Sequence, residues 1–253
     1  MASTQPRLTI KILTVNVHKG FTIFNRRFIL HELRDAIRQA APDIVFLQEV
    51  LGEHQRHAAR LQGWPTTSHY EFLADTLWSD FAYGRNAVYP DGHHGNAVLS
   101  KYPIVSYHNH DISVSRHEAR GMLHCVLRAP GTGLTLHAVC VHLGLRERHR
   151  QHQLRRLCDL AGNGLPSDEP LIIAGDFNDW RERAGDVLRR CGVEDGFELG
   201  GGRPARTFPA QWPLLRLDRI YVRNAAALRP ITLSRRPWCR LSDHIPLVAE
   251  IDL

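Results

Sequence analysis

Lysine is almost missing from this chain: Lys11, Lys19 and Lys101 are the only three among 32 basic residues. Positive charge is therefore carried by arginine, whose planar fork of donors matches phosphate oxygens. With a formal net charge of +6, that excess points to a phosphate-bearing partner, although a general arginine bias in composition explains it equally well. Cysteine is scarce and scattered. Cys125, Cys140, Cys158, Cys191 and Cys239 are odd in number and show no CxxC or Cys/His spacing, which excludes a zinc-ribbon or zinc-finger class. They are expected to be reduced thiols in a cytosolic protein. No apolar run approaches the ~20 residues needed to span a bilayer. The stretch MASTQPRLTI lacks an apolar signal-peptide core, so a cytoplasmic location is expected. Low-complexity segments, internal repeats and Pro/Gly/Ser linkers are also missing. One domain over residues 1–253 follows as the expectation.

What is present is mostly strand. LTIKILTVNV (8–17) alternates apolar and polar residues, DIVFLQEV (43–50) is a short buried run, and LIIAGDF (171–177) is another. HHGNAVLS (93–100), PIVSYHNHDI (103–112), GMLHCVLRA (121–129), LTLHAVCVHL (134–143), LLRLDRIYV (214–222) and IPLVAEIDL (245–253) read the same way. Helical spacing appears from Asn25, a candidate cap, to Ala40, from Arg146 to Ala161, and around 182–190. Gly200 to Gly202 read as a loop apex. Strands with helices between some of them predict mixed α/β layers around sheets.

A polar pattern recurs at the strand ends. Asn16, Glu49, His142, Asp176 with Asn178, Asp218, and Asp243 with His244 each stand beside a buried apolar stretch. An unpaired buried carboxylate costs several kcal/mol or is driven toward its neutral form. Singly, each acid reads as a turn former or helix cap. Jointly, four acids make sense if they gather around a hard divalent cation such as Mg²⁺, which takes carboxylate oxygens, waters and phosphates. Of the sixteen histidines, His93, His108, His110 and His124 read as structural or surface residues, with His94 the one candidate among that group to line a site.

The order of these fragments resembles the endonuclease/exonuclease/phosphatase superfamily, which includes DNase I-like nucleases, neutral sphingomyelinases and inositol-phosphate 5-phosphatases. TVNVH, DIVFLQEV, GNAVLSKYPI, EARG, VHLG with Arg150 and Gln153 behind it, AGDFN, TFP, LDRIYV and SDHIPL follow the family's order over residues 8 to 253. The chain is similar to uncharacterised bacterial members. The resemblance implies a four-layer α/β sandwich: two mostly antiparallel sheets face to face, with helices outside. It also implies metal-dependent hydrolysis of a phosphate ester, with Mg²⁺ as cofactor and Mn²⁺ as a substitute. Position by position, Glu49, Asn16 and Asp243 fall at the metal. Asp176 and Asn178 orient the attacking water or the phosphate, and His244 contacts the phosphate or acts as base. Asp218 pairs with that histidine, His142 is a second active-site histidine, and Arg120 and Asn96 fall at the substrate.

The substrate is read less directly. Relatives acting on abasic DNA carry a Trp just before the Arg-Leu-Asp segment; Leu215 stands there, and Trp212 is out of register. The cysteine pair of secreted DNases is not evident. Charge favours a nucleic acid. The alternatives are a phospholipid or sphingolipid phosphodiesterase, a small phosphomonoester phosphatase, and a non-catalytic binding module on the same fold. For the lipid alternative, TLWSDFAYGRNAVYPDGHH (76–94) is the candidate docking loop, with Trp78, Phe81, Tyr83 and Tyr89. Arg26 with Arg27, and Arg146, Arg148, Arg150, Arg155 and Arg156, are candidate basic stripes. Oligomeric state is not readable from the sequence.

Overall fold

The structure, a computed structural model, describes residues 8–23, 26–75, 77–129 and 131–253. The first sheet holds β1 (Thr9–Asn16), β2 (Ile44–His54), β3 (Asp80–Tyr89), β4 (Gly92–Ser100), β11 (Ala227–Ile231) and β12 (Leu247–Asp252), in the order β11-β12-β1-β2-β4-β3. The second holds β5 (Ile104–Asp111), β6 (Gly121–Arg128), β7 (Thr135–His142), β8 (Leu171–Asp176), β9 (Glu194–Asp195) and β10 (Asp218–Arg223), in the order β5-β6-β7-β8-β10-β9. Each sheet is antiparallel except for one central pair, β1 with β2 and β7 with β8. A parallel pair needs a crossover, and helices supply it. Helix α1 (Leu30–Ala40) joins β1 to β2. After the short helices α2 (Gln55–Arg60) and α3 (His69–Ala74), α4 (Glu147–Asp159) joins β7 to β8 and α5 (Ala184–Arg189) follows.

Period-two patterning explains the layers. Alternate residues Ile10, Ile12, Phe46 and Val98 meet Leu123, Cys125, Ala138, Cys140, Ile172 and Ala174 between the sheets. The opposite residues Leu13, Val15, Val45 and Leu47 pack on Leu30, Leu33 and Ile37 of α1. On the other outer face, Val139, Val141 and Ile173 pack on Leu154 and Leu157 of α4 and Leu188 of α5. All six residues of β8 are buried. Each of its large aliphatic side chains contributes roughly 1.5–3 kcal/mol by that burial. The expected four-layer sandwich is present, and the two sheets share one strand plan, 1-2-4-3 and 7-8-10-9. No sequence repeat announces that plan.

Several local expectations are corrected. Asn25 lies outside the described residues, and α1 begins at Leu30 after Ile29. The 76–94 segment is no docking loop: most of it is the β3–β4 hairpin, an antiparallel pair. Trp78 is 1% exposed with Nε1 donating to Pro42 O at 3.1 Å, and Tyr83 stacks on Tyr70 at 4.4 Å. Packing overturns the loop reading, because two of the aromatic residues taken for a docking surface are held by these contacts. Strands β9 and β11 went unrecognised because β9 is two acidic residues and β11 is five residues with Pro230 inside it. The cysteines are not all thiols. Cys158, in the last turn of α4, and Cys191, just after α5, form a disulfide with Cα atoms 5.4 Å apart. Thirty-three residues separate them in sequence, and only the side-by-side packing of α4 and α5 brings them together. Cys125, Cys140 and Cys239 are free.

Candidate active site

The backbone sets the site first. His142, Asp176 and Asp218 are register neighbours across β7, β8 and β10, so three functional side chains form one row at the sheet's end. Gly175 makes the close pairing possible. Its φ is +150°, and a Cβ there would sit 2.0 Å from Val141 O. In the first sheet, the register of β2 slips between Leu47 and Val50, and Glu49 on that bulge has φ 56°. A bulge re-aims a side chain, and here it carries the carboxylate out of the ladder.

Asp176 Oδ2 is the hub. Asn16 Nδ2 donates to it at 3.2 Å across the two sheets, and His142 Nε2 and His244 Nε2 lie 3.5 and 3.8 Å away. Its Oδ1 accepts the Asn178 backbone N–H at 2.9 Å. Asp218 Oδ2 holds His244 Nδ1 at 2.8 Å. Asp176, Asp218, His142 and His244 are all at most 6% exposed. Burial pushes the Asp176 carboxyl up to about 7, with the Asp218 charge adding to the rise and His244 and Asn178 opposing it. Burial alone would lower His244, but the Asp218 and Asp176 carboxylates outweigh it and raise the imidazole to about 10. His142 is held well below its usual value, by burial first and then by Arg120 and His244. The buried group thus combines His244, shifted toward its cation, His142, shifted toward its neutral form, and an Asp176 carboxyl raised to about 7.

The other part of the site is more open. Glu49 and Asp243 side chains keep 21% and 16% of their exposure and approach the same atom, His18 Nδ1, at 4.0 and 3.4 Å. Asn16 Oδ1 accepts the His18 N–H, and Ser242 Oγ donates to Asn16 O at 2.6 Å, tying β1 to the segment before β12. This donor set fits a hard divalent cation: two carboxylates converge, both reach solvent, and a neighbouring amide adds oxygen. Asp176, Asp218 and His244 form a tighter group, with ligand atoms within 4.8 Å of one another. In that trio His244 Nδ1 engages Asp218, which leaves His244 Nε2 facing Asp176 Oδ2 at 3.8 Å.

The remaining expected residues divide. Asn178 Nδ2 donates to Leu143 O at 3.0 Å, and Arg120 Nε reaches the same oxygen at 3.1 Å, so both brace the segment after His142. Asn96 is 1% exposed; its Nδ2 donates to Gly121 O and Cys140 O while Oδ1 is buried without a partner. Its two bonds link the sheets. Arg150 is also buried. It leaves the expected basic stripe and clamps Leu145 O at 2.6 Å, while Gln153 Oε1 accepts Gly144 N at 2.8 Å. Sequence reasoning passed over His18 and Lys19, although both stand in TVNVHKG directly after Asn16. Burial lowers His94 to about 4, with Lys19 and Arg120 adding to the fall and Glu49 opposing it. A cavity of about 430 Å³ beside Asp243 is lined by Arg26, Arg27, Arg240, Leu241 and Ser242 among others.

With that geometry in hand, comparison with known proteins is direct. The sequence model described as Endonuclease/Exonuclease/phosphatase family matches residues 13–244. Among curated proteins, the uncharacterized protein YbhP of Escherichia coli (strain K12) is 59% identical over 254 residues, covering 100% of both chains. Its counterpart from Shigella flexneri matches equally. Among solved structures, an endonuclease/exonuclease/phosphatase from Beutenbergia cavernae aligns with TM-score 0.77 at 19% identity, over 97% of this chain and 72% of that one. Truncated Caenorhabditis elegans TDP2 aligns with TM-score 0.67 at 18% identity, over 97% and 98%. At such identities these structures establish the fold.

Proposed function

Because the chain belongs to the endonuclease/exonuclease/phosphatase family, we propose that it is a divalent-metal-dependent hydrolase of phosphodiester bonds. The observation that carries this reading is the meeting of two unlike halves across Asn16, which bonds Asp176 on one side and the His18 N–H on the other. Glu49 and Asp243 converge on the open side, and the buried Asp176–His244–Asp218 group lies on the closed side. Glu49, Asp243 and Asn16 would hold Mg²⁺, or Mn²⁺ in its place. When bound, the cation supplies positive charge against the phosphate's non-bridging oxygens.

The chain's own groups do the rest. Cationic His244, its orientation fixed by Asp218, donates from Nε2 to a phosphate oxygen and neutralises charge as it develops. Asp176, kept near neutrality's edge by burial, accepts a proton from the attacking water at Oδ2. Neutral His142 and the Asn16 amide hold that carboxylate in place. Arg120 and Asn178 keep the Leu143 carbonyl fixed, so the His142 end of β7 stays put.

For the substrate, the arginine-rich positive charge supports a polyanion, and it suits a nucleic acid and an anionic lipid headgroup layer alike. Reduced cysteines were one of the two grounds for the cytoplasmic expectation, and the Cys158–Cys191 disulfide removes that one. The test is hydrolysis of bis-p-nitrophenyl phosphate with Mg²⁺, with Mn²⁺ and with EDTA, using Glu49→Ala as control. Metal-dependent turnover lost in the variant is expected. Equal turnover in EDTA, or in the variant, would end this reading.

A further inference from the structure

We propose that the rim of the catalytic opening docks this protein onto an anionic phospholipid bilayer, so that its phosphodiester is taken from a membrane surface. The substrate half of this inference rests on the phosphodiesterase reading; the docking half does not.

Among the described residues, twelve large hydrophobic side chains are exposed, and five of them stand on three loops around the site: Leu145 at 65%, Trp180 at 50%, Trp212 at 73%, Leu214 at 64% and Leu215 at 39%. Ion pairs stitch these loops side by side. Arg183 Nη1 lies 3.7 Å from Glu147 Oε1, joining the Leu145 loop to the Trp180 loop. Arg216 Nη1 lies 3.0 Å from Glu182 Oε1, joining the Trp180 loop to the Leu214–Leu215 loop. Each loop starts at the catalytic centre. Leu143 O accepts from Asn178, Trp180 follows Asn178 and Asp179, and Phe208 of the third loop lies 5.0 Å from the His244 ring. Single exposed apolar side chains need no explanation, but a group bordering one opening does.

Charge identifies the partner. Two of the loops share a pattern, Leu145-Arg146-Glu147-Arg148 and Trp180-Arg181-Glu182-Arg183, and Arg235 reaches over the Trp212 ring at 5.2 Å. In segments 145–148, 180–183, 211–216 and 235–240 there are eight arginines and two glutamates. Both glutamates are already paired with arginine. A surface of this sign attracts an anionic lipid headgroup layer. Tryptophan suits the headgroup boundary, and aliphatic side chains gain by entering the acyl region behind it. The leucines decide against nucleic acid as occupant. Single-stranded nucleic acid is held by flat rings that stack on bases. Here Leu145, Leu214 and Leu215 offer no such face, and both tryptophans carry an arginine on the ring, Arg181 over Trp180 at 4.5 Å.

The experiment is cosedimentation of the full chain with phosphatidylcholine vesicles, with and without phosphatidylglycerol, for wild type and a Trp212→Ser, Leu214→Ser double variant. Binding only to the anionic vesicles, reduced at least ~tenfold in the variant, is expected. Hydrolysis of soluble bis-p-nitrophenyl phosphate and the melting temperature are expected to stay unchanged, because neither side chain touches the reacting groups. A blue shift of wild-type tryptophan fluorescence on anionic vesicles, diminished in Trp212→Phe, gives the same answer should the double variant fold poorly. Wild type that ignores anionic vesicles, or a folded variant that binds them fully, overturns the proposal. Loss of oligonucleotide binding in the variant, with no vesicle binding by wild type, hands the rim to nucleic acid. Turnover without vesicle binding breaks the docking alone; vesicle binding without turnover by wild type breaks the phosphodiesterase reading alone.

Discussion

Strands β1 and β2 cross over through α1 and deliver Asn16 and Glu49 to the cleft; β7 and β8 cross over through α4 and deliver His142 and Asp176. The strand plans match, yet the products differ. In the first sheet a bulge carries Glu49 toward solvent, where it meets Asp243 near His18. In the second, an unbroken register buries His142, Asp176 and Asp218 in a row. An open pair of carboxylates can stay charged and take a hydrated cation. A buried row must share protons among its members, because isolated charge is costly there. On the proposed function, one slipped residue in β2 would separate cation binding from proton handling.

The sharpest way to break that division is to compare Glu49→Ala with Asp176→Asn. Both should lose at least ~10³-fold in hydrolysis, since each removes a group acting on the developing charge or the nucleophile. Calorimetric titration with Mn²⁺ should separate them, with binding lost in Glu49→Ala and kept in Asp176→Asn. The reverse pattern would place the cation in the buried row. Asp218→Asn should cost less, roughly 10²-fold, because His244 remains but loses its orienting partner. It should leave Mn²⁺ binding intact, and a loss of cation binding there would count against the division.

Smaller effects distinguish the two outer layers. The α4–α5 layer is closed by Cys158–Cys191, and a crosslink spanning 33 residues restricts the unfolded chain by roughly 3–4 kcal/mol. Urea denaturation with and without reductant measures it; an unchanged midpoint would show that the bridge adds nothing. The α1–α3 layer holds His69, 1% exposed, with both ring nitrogens unpaired and its pKa lowered to about 3 by burial, then by His57 and His54. Between that value and 6.5 the unfolded chain binds a proton that the folded one refuses, so stability falls as pH drops below 6.5. At pH 4.5 the loss is about 3 kcal/mol relative to pH 7. His69→Phe should flatten that dependence in urea titrations at the two pH values, and an equally steep dependence in the variant would assign it elsewhere.

Much of this was legible before folding. Alternation announced β1, β6, β7 and β12 because a half-buried strand must repeat every two residues. The acids and amides at strand ends announced a site because their burial is expensive unless shared. The Trp78–Tyr89 stretch misled because aromatic residues near glycines read alike in a loop and in an edge hairpin. Arg150 misled because helical spacing tells which residues share a face, not which face is covered.

By itself, the sequence determined the long alternating and buried strands such as β1, β2, β7, β8 and β12, which polar residues end them, and that the chain's positive charge is almost all arginine. These are local properties, set by side-chain chemistry and a period of two or 3.6 residues. Only the tertiary structure decided that Asn16, His142 and His244 share one oxygen of Asp176, that Cys158 meets Cys191, and that Leu145, Trp180 and Trp212 stay exposed. Those relations depend on register, a bulge and the packing of two crossovers, where a shift of one residue exchanges the buried face for the exposed one.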